Sequence, residues 1–166
     1  MIQYKTKLVD TNTSNHTLFV YGTLKRGGKW HHLIQNSQLL EPEDAVTGEM
    51  YIYENTYPVL FRGNDLIRGE VYVVNQEVYD KIFELESDAD YAIETLVTEK
   101  GITVEAYIYQ DESVKNQENR ITDFEAADFF DKWLRETPRE SESFQFYLEW
   151  GGRLDRQDSF EKNERK

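Results

Sequence analysis

The sequence predicts an α+β protein, a small mixed β-barrel flanked by a few helices, and three observations carry that prediction. Segments rich in β-branched and aromatic residues recur along the chain, among them TLFVY at 17–21, AVTGEMYIY at 45–53 and LIRGEVYVV at 66–74. Apolar residues at helical spacing occur in only two or three places. Strands and helices do not alternate strictly, whereas a doubly wound sheet needs a crossover helix between successive parallel strands.

In chain order, 17–21 reads as a buried strand, and a short helix is expected around 30–36, where Trp30, Leu33 and Ile34 share one side. The alternating stretch 45–53 is a strand, followed by a turn at Glu54-Asn55-Thr56 and a short strand at 57–61. Arg62-Gly63-Asn64-Asp65 carries a second turn signal, and 66–74 is the next strand. Asn75 caps a helix that runs to about Glu86. Residues 91–98 and 102–109 form strands joined by a tight hairpin at Glu99-Lys100-Gly101. Thr122-Asp123-Phe124-Glu125 has the pattern of a capping box, opening a C-terminal helix at 122–137 that stops before Pro138. Phe129, Phe130 and Trp133 form its packing face, with a homodimer contact as a further use of that face.

With 166 residues, 39% of them apolar, the chain is one domain in size and has enough apolar side chains for a core. The expected organisation is an N-terminal extension at 1–16, a single domain at 17–150 and a polar tail at 151–166. Cysteine is absent, which excludes thiol catalysis, thiolate metal sites and disulfides. A net charge of −13 argues against nucleic acid as a partner. No long apolar run appears, so the expectation is a soluble, cytoplasmic protein that does not enter membranes. His31 and His32 are adjacent and diverge on a helix, so no metal site is expected.

The stretch HTLFVYGTLKRGG (16–28) places a glycine-flanked cationic loop directly after a strand, in a strongly acidic chain. Gly22 to Lys29 falls short of a P-loop: four residues after Gly22 come Gly27-Gly28, and Lys29 precedes a tryptophan where a hydroxyl residue is needed. Such a turn can still aim successive backbone amides at one point, a nest suited to a carboxylate or an oxyanion.

In the helix NQEVYDKIFELES, Tyr79 and Glu86 lie seven residues apart, about two turns at roughly 3.6 residues per turn, and so point the same way with Ile82 and Phe83 beside them. Glu86 therefore projects from an apolar face in the last turn. Burial and the negative end of the helix dipole both raise a carboxyl pKa there, as a proton shuttle near neutral pH requires.

Taken together, VYGTLKRG, GEMYIY, YPVL, RGEVYVV, the helix end FELES and the later Tyr91 resemble the gamma-glutamylcyclotransferase-like family, most strongly over 19–109. The resemblance implies a cofactor-independent reaction in which the α-amine of a γ-glutamyl amine or amide attacks its own side-chain carbonyl. The products are 5-oxoproline and a free amine. It also implies Glu86 as the general acid/base and a loop, Tyr21, Gly22, Thr23 and Leu24, whose amides hold the glutamyl head group. Read by residue type, Tyr57, Tyr91 or Tyr109 can reach a polar substrate through a hydroxyl. The alternative is a non-catalytic module that keeps the pocket and binds a small metabolite or a protein.

Overall fold

The computed structural model describes residues 15–54 and 56–153. Most of the expected N-terminal extension and the tail beyond Arg153 lie outside the described residues, as does Asn55 of the first turn. One six-stranded sheet forms the body: β1 (Asn15–Val20), β2 (Gln38–Tyr53), β3 (Tyr57–Asn75), β4 (Tyr91–Val97), β5 (Thr103–Tyr109) and β6 (Arg120–Ile121). Their spatial order is β4-β5-β1-β3-β2-β6. β1 pairs antiparallel with β3 and parallel with β5, which makes the sheet mixed. The ladder does not close, since β4 and β6 remain its edges. The expected barrel is thus a curled open sheet.

Both faces of β1 are buried. Phe19 and Tyr21 enter a core shared with Val46, Leu60, Val104, Ile108 and Phe124, while Leu18 and Val20 enter a second core with Tyr72, Ile82, Phe130 and Tyr147. Side chains alternate across a strand, so a strand covered on both sides reads as the continuous apolar run TLFVY.

β2 and β3 form one long hairpin, paired from Gln38↔Val73 to Tyr53↔Tyr57. The turn expected at 62–65 does not form. β3 runs through it as a bulge, because Gly48 pairs with Asp65 while the next residue, Glu49, pairs with Phe61. A long partner strand on both sides of the polar segment keeps the ladder going and leaves only the extra residues looped out. The turn at Glu54 is present, with left-handed backbone (φ 51) and a hydrogen bond from the Thr56 amide to the Tyr53 carbonyl of 2.8 Å. At the β4–β5 hairpin Gly101 takes φ +86, a conformation that favours glycine.

Helix α1 (Gln76–Glu86) starts where expected, and the Asn75 side chain accepts a hydrogen bond from the Val78 amide at 2.9 Å. Asn75→Ala should lower stability by about 1 kcal/mol in denaturant unfolding, the usual worth of such a cap. Around 30–36 only a 3-10 turn forms, at His31–Leu33, because the Trp30 amide is tied back to the Thr23 carbonyl and the segment closes the loop before it.

The capping box at 122–125 is not used. Asp123 accepts from the next amide, Phe124, whose ring packs on Phe129 with centroids 4.7 Å apart, and α2 (Ala126–Glu136) begins later without a side-chain cap. Burial of Phe124 outweighs the local capping preference. A further helix, α3 (Glu142–Glu149), was not expected from the sequence; Ser141 caps it through the Phe144 amide, and Phe144 and Tyr147 are its buried residues. It covers the face of α2, with Trp133 stacked on Phe144 at 5.1 Å. No helix among the described residues is long and apolar enough to cross a membrane.

Candidate active site

Glu86 is the last residue of α1. Ile82 is fully buried and fixes the helix on the sheet, while Phe83 is 51% exposed and lies outside the apolar face on which the helical wheel places it. One residue on an α-helix is a turn of about 100°, enough to carry Phe83 from the contact with the sheet into solvent. After Glu86 the chain makes a 3-10 turn, Ser87–Ala89, passes through left-handed Asp90 (φ 64) and enters β4 at Tyr91. This tight return brings Glu86 and Tyr91 to the same hollow.

Burial pushes the Glu86 carboxyl up to about 7. No hydrogen bond from a described group stabilises its charged form. Part of its surface opens on the cavity, so the group is removed from bulk water yet accessible to a ligand.

The loop after β1 is held by its own turns and by one buried acid. The amides of Lys25, Gly28, Trp30 and His31 bond the carbonyls of Gly22, Lys25, Thr23 and Gly28, whereas those of Gly22, Thr23 and Leu24 are not among these turn donors. Gly22 is required by close approach: a Cβ there would stand 2.8 Å from Cγ of Pro58. Glu70, 5% exposed, accepts from the Arg26 amide (3.1 Å), from Arg26 Nε (3.2 Å) and from the Tyr72 hydroxyl (3.0 Å). A cationic loop in an acidic chain is thereby anchored from behind by the glutamate of GEVY.

These elements enclose a cavity of about 270 Å³. Glu86, Tyr21, Gly22, Thr23, Leu24, Tyr57 and Tyr91 all line it. The Leu24 side chain belongs to the core with Trp30 and Ile34. Tyr21 is 6% exposed and its hydroxyl donates to the Tyr107 carbonyl at 2.8 Å, which makes it part of the floor. Tyr91 donates to the Pro58 carbonyl at 3.2 Å and keeps that strand against Gly22.

Burial first, and the nearby Glu86 charge second, raise the Tyr21 and Tyr107 hydroxyls above the usual phenol range. Tyr91 is raised too, by burial, then Tyr21, then Glu86. Tyr57 is pushed up to about 12 by burial, with Tyr109, Tyr53 and Glu86 adding to it. All four are neutral donors at physiological pH, gathered around one carboxyl.

Among the cavity residues that sequence reasoning missed are Tyr107 and Lys29. The Tyr107 hydroxyl is buried with no partner among the described residues, although on a strand it reads as ordinary core. Lys29 was met only as a misfit to the P-loop pattern; its position beside two glycines and a tryptophan was the available signal. His31 and His32 turn apart: Nδ1 of the first lies 2.9 Å from the Leu24 carbonyl oxygen, and Nε2 of the second 2.9 Å from that of Trp150.

The chain is similar to known proteins. The sequence model of the family described as gamma-glutamyl cyclotransferase, AIG2-like, matches residues 18–130. A Vibrio cholerae protein named "Putative gamma-glutamylcyclotransferase" is 37% identical over 98 residues, covering 58% of this chain and 84% of that one. The gamma-L-glutamyl-butirosin B gamma-glutamyl cyclotransferase of Niallia circulans is 39% identical over 69 residues, 42% of this chain and 44% of its own length. Among solved structures, an uncharacterized Pyrococcus horikoshii protein superposes with a TM-score of 0.55 at 25% identity, covering 76% of this chain and 99% of that one. With the match running through the loop, the hairpin, α1 and the β4–β5 pair, the protein is an enzyme of the gamma-glutamyl cyclotransferase, AIG2-like family.

Proposed function

We propose that the enzyme cleaves a γ-glutamyl amine or amide by intramolecular attack, with Glu86 moving the proton. The observation that supports this reading is the shared cavity: Glu86, its carboxyl raised to about 7 by burial, lines the same space as Gly22, Thr23 and Leu24. As carboxylate, Glu86 takes a proton from the substrate's α-ammonium. The freed amine then attacks the side-chain carbonyl carbon, forming the lactam C–N bond. The attacking nitrogen then gives up a second proton, and the C–N bond to the leaving amine breaks as Glu86 protonates that nitrogen; two protons pass in all from the attacking to the leaving nitrogen, which departs as an ammonium, so atoms and charge balance without an external reactant. The loop amides hold the glutamyl head group and the negative oxygen of the intermediate, and the Tyr57 and Tyr91 hydroxyls orient it.

Enclosure supplies the rest. A γ-glutamyl chain is flexible, and holding it curled converts a rare conformer into the bound one. The test is release of 5-oxoproline from a panel of γ-glutamyl amines, amides and dipeptides. Because the base must be ionised, kcat/KM should fall tenfold per pH unit below about 7 and level off above it. A flat profile from roughly pH 6 to pH 8 would take Glu86 out of the base role.

A further inference from the structure

We propose that Lys29, with Trp133 and Phe146, forms a leaving-group subsite for an amine that carries a carboxylate beside an apolar body, such as the amino acid half of a γ-glutamyl dipeptide. The inference rests on the cyclotransferase reading for which bond is cut, and adds what stands on the far side of it.

Lys29 lines the cavity with its ammonium 3.9 Å from the Trp133 ring centroid and 5.2 Å from that of Trp30. The chain has 32 acidic residues, yet among the described residues none forms an ion pair with Lys29. Burial lowers its pKa to about 8, which still leaves it charged at neutral pH. Aromatic faces offset only part of the hydration that a buried ammonium loses. A ligand carboxylate would complete the site with a charge-assisted hydrogen bond.

Among the described residues no ion pair joins Lys29 to Glu86. Trp133 of α2 stands against the Lys29 ammonium, and Phe146 of α3 packs on Trp30 beside it. Trp133, Ser143 and Phe146 all lie beyond residue 130, where the family match stops. This wall therefore belongs to the part of the chain that the shared sequence does not cover. Trp133 and Phe146 make it aromatic, and Ser143 also lines the cavity. Phe146 is 41% exposed, lines the cavity and packs against Trp30 at 5.8 Å and Trp150 at 5.5 Å.

The experiment compares γ-L-glutamyl-L-phenylalanine with its C-terminal amide, in two readouts. One is kcat/KM for 5-oxoproline release by the wild type, Lys29→Met and Lys29→Arg. The other is calorimetric binding of both compounds to Glu86→Gln protein with and without Lys29→Met. The acid should be preferred over the amide by about tenfold or more, the scale of one hydrogen bond to a charged group. Lys29→Met should erase that preference by weakening the acid alone, and Lys29→Arg should restore most of it. Phe146→Ala should reduce the advantage of the phenylalanine compound over γ-L-glutamylglycine. Equal acid and amide values in the wild type would overturn the subsite. So would an equal loss for both in Lys29→Met, which would instead place Lys29 on the glutamyl head group. If no compound releases 5-oxoproline while binding still favours the acid through Lys29, the cyclotransferase reading fails and the carboxylate subsite stands.

Discussion

Glu86→Gln should reduce 5-oxoproline release by about 10²–10⁴-fold, the range typical of general acid–base catalysis, and at the same time make the protein more stable at alkaline pH. The sign follows from the raised carboxyl. Between the ordinary value of 4.5 and the folded value of about 7, the folded state keeps a proton that the unfolded state has lost, so stability falls as pH rises through that window. Below it the carboxyl is neutral in both states and imposes no penalty. Above it the penalty is complete, at most about 3 kcal/mol for a group that still has some access to cavity water. Glutamine has nearly the same shape and no charge. Urea unfolding of both proteins at about pH 5 and pH 8.5 should therefore show near-equal midpoints at the lower pH and a more stable variant at the higher one. An active variant would remove Glu86 from the chemistry. A variant with no alkaline advantage would mean that the carboxylate is well solvated in the folded protein.

Glu70→Ala should be the most damaging change away from the reacting centre. The buried carboxylate accepts from the Arg26 backbone, the Arg26 side chain and the Tyr72 hydroxyl. Truncation leaves these donors without that acceptor, the Tyr72 hydroxyl among them buried, for a loss of about 2–4 kcal/mol. The loop that supplies the Gly22–Leu24 amides hangs on the same contacts, so kcat/KM should drop further than stability alone explains. Glu70→Gln retains one acceptor and should give an intermediate result in both measurements. Wild-type activity in Glu70→Ala would show that the loop holds its shape through its own turns.

Much of the fold was legible in the sequence because its signals were local. The Asn75 cap and the end of α1 at Glu86 follow from side chain–backbone chemistry within a few residues. The same holds for the hairpin at Gly101 and the stop before Pro138. The misreadings were non-local. Arg62-Gly63-Asn64-Asp65 has turn composition, yet pairing with β2 on both sides turned it into a bulge. Thr122 to Glu125 has the residues of a capping box, yet Phe124 found a better place under Phe129. Phe83 sits one position from Ile82, and only the docking of α1 on the sheet decided which of the two was buried.

The sequence by itself determined the mixed strand-and-helix character, the glycine-bearing loop after the first strand, and a glutamate on the apolar side of a helix end. These depend on backbone conformation and spacing, which neighbouring residues set. Tertiary structure alone decided that Glu86, Tyr107 and Lys29 line one hollow, and that Glu70 holds the loop from behind. These groups come from segments far apart in the chain. Their pKa values and vacant hydrogen-bonding positions are set by what packs around them, which no local pattern records.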